Sequence, residues 1–241
     1  MISLTQLMKD KPLIHAGRSV TMGIHQDLAT FLDESLNPGH VTLETGSGLS
    51  TLVILRKQVA QHIAVSPAPD EFEAIRNFCH EHGVDTGPLR TQVARSHDYW
   101  PTADLPPLDL VLIDGDHAFP MPFIDWFYTA DKLKIGGWMV VDDANIASGT
   151  ILVDFMRADP KWQEVTRHWS GRFAIYKKLQ HPIHDGCWED QPYLKDTYPT
   201  KSVKPARRRP PGPLERAMTR VLPWRSVQVP LRAKIGWPRP E

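Results

Sequence analysis

The sequence predicts a doubly wound α/β fold, and three observations carry that expectation. Short apolar runs of strand length alternate with stretches of helical spacing from about residue 26 to residue 160. Two of the runs, Leu108-Asp-Leu-Val-Leu-Ile113 and Ile135-Gly-Gly-Trp-Met-Val-Val141, lead directly into carboxylates, as central parallel strands do when they deliver side chains to their carboxyl edge. A third run, Val41-Thr-Leu-Glu-Thr45, passes through Gly46-Ser-Gly48 into a helix, the form of a ligand-holding turn.

Taken in order, residues 26–36 place Leu28, Phe31, Leu32 and Leu36 at helical spacing, and Asn37-Pro-Gly39 stops them before the first strand. Ser50 to Gln58 is the next helix, His62 to Ser66 the second strand, and Asp70 to His82 an amphipathic helix ended by Gly83. Leu89 to Ala94 forms a third strand, followed by a loop from Arg95 to Pro101. Pro120 to Lys132 is helical, with its prolines in the first turn where a missing amide costs least. Gly149 to Ala158 is a further helix, and Trp162–His168 and Arg172–Leu179 read as an antiparallel pair turning at Ser170-Gly171.

Of 241 residues, 1–180 supply one domain with material for a full core, while 181–241 form a Pro-rich basic extension. The first part carries 16 Lys+Arg against 22 Asp+Glu and the second 12 against 6, so a formal charge of zero hides an acidic body and a basic tail. Eleven of the 22 prolines fall in the tail, which rules out a continuous helix or sheet there. A short basic helix is expected over Pro213 to Leu222. Tyr193, Tyr198, Trp224 and Trp237 interleave with basic residues, a pattern that suits RNA or an anionic membrane surface; the reading preferred here is a segment lying over its own domain or a partner subunit, or without fixed structure. Cys79 and Cys187 make no disulfide framework, no run is long enough to span a bilayer, and no leader pattern opens the chain, so a cytoplasmic protein is expected.

The turn and the two carboxylate-ended strands together specify more than a fold. Glu44-x-Gly46-x-Gly48-x-Ser50-Thr51 resembles the first motif of class I S-adenosylmethionine-dependent methyltransferases. Asp109-Leu-Val-Leu-Ile-Asp-Gly-Asp-His117 and Gly136-Gly-x-x-Val-Val-Asp-Asp143 are similar to strands four and five of that fold, particularly in its catechol-type O-methyltransferase and cephalosporin-hydroxylase-like branches. The resemblance implies a Rossmann-like sheet of seven strands, mostly parallel with one antiparallel edge strand. It also implies methyl transfer from S-adenosylmethionine to a small hydroxyl-bearing acceptor.

By the same resemblance, Glu44, Gly46, Gly48, Ser50, Ser66, Ser96 and Asp114 are the expected cofactor-binding residues. Ser66 departs from the pattern, because most of the family places an acid there to hold both ribose hydroxyls; Asp70 or Glu71 could reach back to compensate. Asp114, Asp142 and Asp143 match the positions at which catechol-type enzymes hold Mg²⁺, with Asp143 in place of an amide. Oxygen ligands suit such an ion, whereas three carboxylates without a cation would repel one another. His117, three residues after Asp114, stands where that branch has its general-base lysine, so His117 and Asp114 are the expected catalytic pair.

Two other readings stay open. One is a non-catalytic binding module with a degenerate cofactor site and a basic tail that contacts RNA or a protein. The other is a nicotinamide enzyme, disfavoured by Glu44 in the turn and by Ser66, where an acid or arginine would be wanted. His181-x-x-His184-x-x-Cys187 has short metal-like spacing but lacks a second ligand pair. The acceptor and the oligomeric state, a homo-oligomer included, are left undetermined by these residues.

Overall fold

The computed structural model describes residues 2–15, 23–165, 171–181, 183, 184, 187 and 190–198. The expected helix at Pro213 to Leu222, Trp224, Trp237 and the turn residue Ser170 lie outside the described residues.

Seven strands form one sheet: β1 (Val41–Thr45), β2 (Gln61–Ser66), β3 (Leu89–Val93), β4 (Leu108–Ile113), β5 (Leu133–Val141), β6 (Trp162–Glu164) and β7 (Ala174–Lys178). Their order is β3-β2-β1-β4-β5-β7-β6. All neighbours from β3 to β5 are parallel, and β7 runs antiparallel to both β5 and β6. The seven-stranded, mostly parallel sheet is therefore present. β7 is the one strand that runs against the others; it lies next to the edge, because β6, antiparallel to β7 and so parallel to the rest, pairs beyond it.

Strand alternation divides the core into two layers. Leu110 and Leu112 of β4 join one cluster with Leu28, Leu32, Leu52, Phe72 and Ile75, carried by α2 (Gln26–Ser35), α3 (Leu49–Arg56) and α4 (Pro69–Glu81). Val111 and Ile113 join the other with Trp126, Ala130, Leu152 and Met156, from α6 (Met121–Ala130) and α7 (Ala147–Ala158). Burial on both faces is why these strands read as continuous apolar runs.

Some local expectations are revised. A helix that the spacing did not suggest, α1 (Leu4–Asp10), is capped by Ser3, whose hydroxyl accepts the Gln6 amide N–H at 3.1 Å. The loop after β3 is instead a short helix α5 (Ser96–Tyr99) followed by a 3₁₀ turn at Trp100–Thr102. Its cause is tertiary: the Trp100 indole is buried and donates to Asp125 Oδ1 at 2.8 Å. β6 covers Trp162–Glu164, with residues 166–168 of its expected range outside the described residues; β7 covers Ala174–Lys178 rather than Arg172–Leu179, and β5 starts two residues earlier, at Leu133. Beyond Gln180, Ile183 is buried, its amide bonded to Asp131 Oδ1, and α8 (Pro192–Thr197) follows. No helix among the described residues is long and apolar enough to cross a membrane.

Candidate functional site

The carboxyl ends of β1, β2, β4 and β5 open into a cleft of about 690 Å³, large enough for a nucleoside-sized ligand. Thr45 to Ser50, Val65 to Ala68, Ser96, His97, Asp114 to His117, Asp142, Asp143 and Arg172 line it, together with His15, Gly23 and Ile24 from near the N-terminus. Gly46, Gly48, Ser66, Ser96, Asp114, His117, Asp142 and Asp143 are thus brought to one place, as the motif spacing requires.

Glu44 is not in the cleft wall. It is fully buried beneath the turn, where it accepts hydrogen bonds from Ser50 Oγ (2.6 Å) and Thr51 Oγ1, and His62 Nε2 lies 3.0 Å from its Oε1. Thr51 Oγ1 in turn accepts the Gly48 amide N–H at 2.9 Å, so Glu44 ties the first turn of α3 to the glycine loop. The expected contact of Glu44 with the cofactor is corrected to a supporting role, because the side chain is fully enclosed and does not line the cleft. Ser50 lines the cleft, yet its hydroxyl is spent on Glu44.

The two glycines are also needed for reasons internal to the chain. Gly46 has φ +90°, and a Cβ there would collide with the Asp114 backbone carbonyl. Gly48 is extended, and a Cβ would come within 3.1 Å of His15 Nε2. Removing either side chain lets β1 close against β4 and lets His15 settle on the turn.

At the other end of the cleft, carboxylates crowd together. Asp114 N–H is held by Thr45 Oγ1 at 3.2 Å, and burial together with Asp142, Glu44 and Asp143 pushes the Asp114 carboxyl well above the usual range. Asp142, 8% exposed, is raised to about 6, chiefly by burial and further by Asp143. Asp143 sits at φ +48°, a left-handed conformation uncommon for a non-glycine residue, and Gly149 allows the start of α7 to press on its carbonyl. That backbone turn aims neighbouring side chains in different directions.

Asp114, His117 and Asp143 each offer one ligand atom within 4.8 Å of the others, the group among the described residues able to hold a metal. Asp142, expected as the third ligand, is outside that group; its Oδ1 accepts the Asp143 amide N–H at 2.9 Å. His117 Nε2 lies 3.2 Å from Asp143 Oδ2, and Arg172, half exposed, lies 3.6 Å from Asp143 Oδ1. Two carboxylates and an imidazole fit a divalent cation of the Mg²⁺, Mn²⁺ or Zn²⁺ kind. The other metal-like spacing is used for packing: His184 stacks on Phe127, and its Nε2 lies 2.5 Å from the Phe127 carbonyl.

Residues 43–144 match the family described as a methyltransferase domain. The strand order and the position of the cleft agree. This part of the chain is similar to a methyltransferase domain. Solved structures with the same fold include cofactor-bound Rv0187 from MTB, 20% identical, with a TM-score of 0.59 over 74% of this chain and 90% of that one. The O-methyltransferase TomG from Streptomyces achromogenes, in complex with SAM, is 16% identical with a TM-score of 0.59, covering 73% of this chain and 90% of its own. An O-methyltransferase from Bacillus cereus in complex with SAH is 13% identical with a TM-score of 0.57, again over 73% and 90%. Among curated proteins none matches by sequence.

Glu71 and His15 escaped the reading of the sequence as a fixed pair. Glu71, in the first turn of α4, accepts from Ser47 Oγ at 2.7 Å and from Ser66 Oγ at 2.9 Å, and His15 Nδ1 lies 2.7 Å from its other oxygen. Burial alone would push its carboxyl up; the hydrogen bonds from His15, Ser47 and Ser66 outweigh this and hold it below the usual range.

Proposed function

We propose that this protein transfers a methyl group from S-adenosylmethionine to a hydroxyl oxygen of a small acceptor, with a divalent ion at the β4–β5 edge. The observation that carries the reading is the juxtaposition in one cleft of the Gly46–Gly48 turn and the Asp114, His117, Asp143 group. The glycine turn leaves room for the donor against the carboxyl end of β1, with Ser96 and His97 at the side where the family contacts adenine.

The donor supplies the methyl group as an activated sulfonium. The protein's share is to hold donor and acceptor in line and to take up the acceptor's proton. His117 is the proposed proton acceptor; Asp143 Oδ2, 3.2 Å from its Nε2, would stabilise the imidazolium that forms. Ser148 Oγ, donating to the His117 carbonyl at 2.5 Å, fixes the loop that carries it. Asp114 and Asp143 are the proposed metal ligands, and a cation there would lower the acceptor's pKa and orient its oxygen. Phe119, 69% exposed and two residues from His117, is available to cover an aromatic acceptor.

The test is a mass-spectrometric assay of a panel of phenols, catechols and hydroxy acids with S-adenosylmethionine, with and without chelator. Methylation of a hydroxyl, lost on chelation and in Asp143→Asn, is expected. Transfer to nitrogen or carbon acceptors alone would contradict the reading.

A further inference from the structure

The second strand ends in Ser66, a residue too short and too weak an acceptor to hold a vicinal diol by itself. Yet a carboxylate stands at that place. Glu71, five residues on and one helix turn into α4, bends back so that its Oε2 accepts the Ser66 hydroxyl at 2.9 Å and the Ser47 hydroxyl at 2.7 Å, which joins the end of β2 to the glycine turn. It lines the cleft and is largely shielded, its side chain 15% exposed. A shielded carboxylate that already gathers hydroxyl donors is chemically suited to take two more from a ribose.

The opposite oxygen of Glu71 is held by a residue 56 positions away. His15 Nδ1 lies 2.7 Å from Oε1, and the far side of the ring, Nε2, rests over Gly48. The imidazole therefore bridges the helix-borne acid and the turn, and a Cβ at Gly48 would press on it at 3.1 Å. His15 fixes the carboxylate's rotation while leaving Oε2 turned toward Ser47 and Ser66 and the cleft.

We propose that Glu71 is the residue that reads the ribose hydroxyls of the cofactor, and that His15 is its positioning residue, which makes the N-terminal segment carrying His15 a working part of the cofactor site. The inference rests on the S-adenosylmethionine reading above and adds to it the two residues that replace the acid missing from strand two. Asp70, exposed beside Glu71, takes no part.

The test is calorimetric titration of the full-length protein with S-adenosylhomocysteine and with its 2′-deoxy analogue. Wild type should prefer the ribose ligand by about tenfold or more, the size expected for a hydrogen bond to a charged group. Glu71→Gln should bring the two ligands to within about twofold of one another. His15→Ala should lose part of the preference, and His15→Asn, whose amide nitrogen can stand in for Nδ1, should restore it. Asp70→Asn should behave as wild type.

A full hydroxyl preference retained in Glu71→Gln, or none in wild type that binds both ligands, would overturn the proposal and leave the methyltransferase reading standing. Wild type that binds neither ligand would remove both. Should Glu71→Gln not fold, a crystal structure of wild type with S-adenosylhomocysteine decides: the ribose hydroxyls within hydrogen-bond distance of Glu71 support the proposal, and a ribose held elsewhere overturns it.

Discussion

Two acidic strand ends lie side by side in the sheet and do opposite things. At the end of β1, Glu44 is sealed under the glycine turn, with Ser50, Thr51 and His62 all directed at its carboxylate. At the ends of β4 and β5, Asp114, Asp142 and Asp143 face the same cleft and crowd one another, and burial together with the neighbouring carboxylates raises Asp114 and Asp142. The first carboxylate is satisfied by the protein; the other three share one imidazole and one half-exposed guanidinium, both beside Asp143. A strand-end acid is thus part of the scaffold where local hydroxyls and an imidazole complete it, and available for chemistry where they do not.

Glu44→Ala should show the largest effect on stability. It leaves two hydroxyls and an imidazole buried without their acceptor, a loss of about 3–5 kcal/mol that denaturant unfolding would register. The effect on activity would follow from the collapse of the turn. If Glu44→Ala were fully stable but failed to bind S-adenosylhomocysteine, Glu44 would belong with the chemical acids and the contrast would break.

Asp143→Asn and Asp114→Asn should behave in the reverse way. Turnover should fall on the order of 100-fold or more, since an ion and a proton acceptor both depend on these residues. Thermal stability should hold or rise, because a repelling charge is removed.

Asp142 gives a smaller and pH-dependent effect. Its carboxyl is raised from the ordinary range to about 6, so the folded state holds this proton more tightly than the unfolded chain does. Its contribution is therefore greatest at pH below about 4 and is lost as pH rises through about 6. In chelator, Asp142→Asn should gain on wild type between pH 4 and 7, by on the order of 2 kcal/mol, and the difference should level off above that. A flat difference across the range would mean that Asp142 is not crowded as described.

Lys178 offers a check remote from the cleft. Its ammonium is fully buried and donates to the Ala130 and Leu133 carbonyls at 2.6 and 2.7 Å. Lys178→Met leaves both carbonyls unpaired and should cost about 1–3 kcal/mol in unfolding experiments. Cofactor affinity should be unchanged.

The sheet was legible because its central strands are buried on both faces and therefore spell uninterrupted apolar runs, as in Leu110-Val-Leu-Ile113. The location of the cleft followed from where those runs stop. The division of labour among the acids was not legible. Asp142 and Asp143 are adjacent and identical in type, and only the left-handed backbone at Asp143 separates a residue aimed at His117 from one folded onto its neighbour's amide. Glu71 reads as an ordinary acid in a helix's first turn, a place where acids are common. Its partner His15 is 56 residues away, a contact that no local pattern encodes. Trp100 likewise read as part of a loop, because the Asp125 carboxyl that draws it inward arrives from another element.

The most direct test of the account is a titration of S-adenosylhomocysteine into the purified protein. Saturable binding of one ligand per chain, in the micromolar range, is expected. Absence of binding at millimolar ligand, with the protein folded, would contradict it.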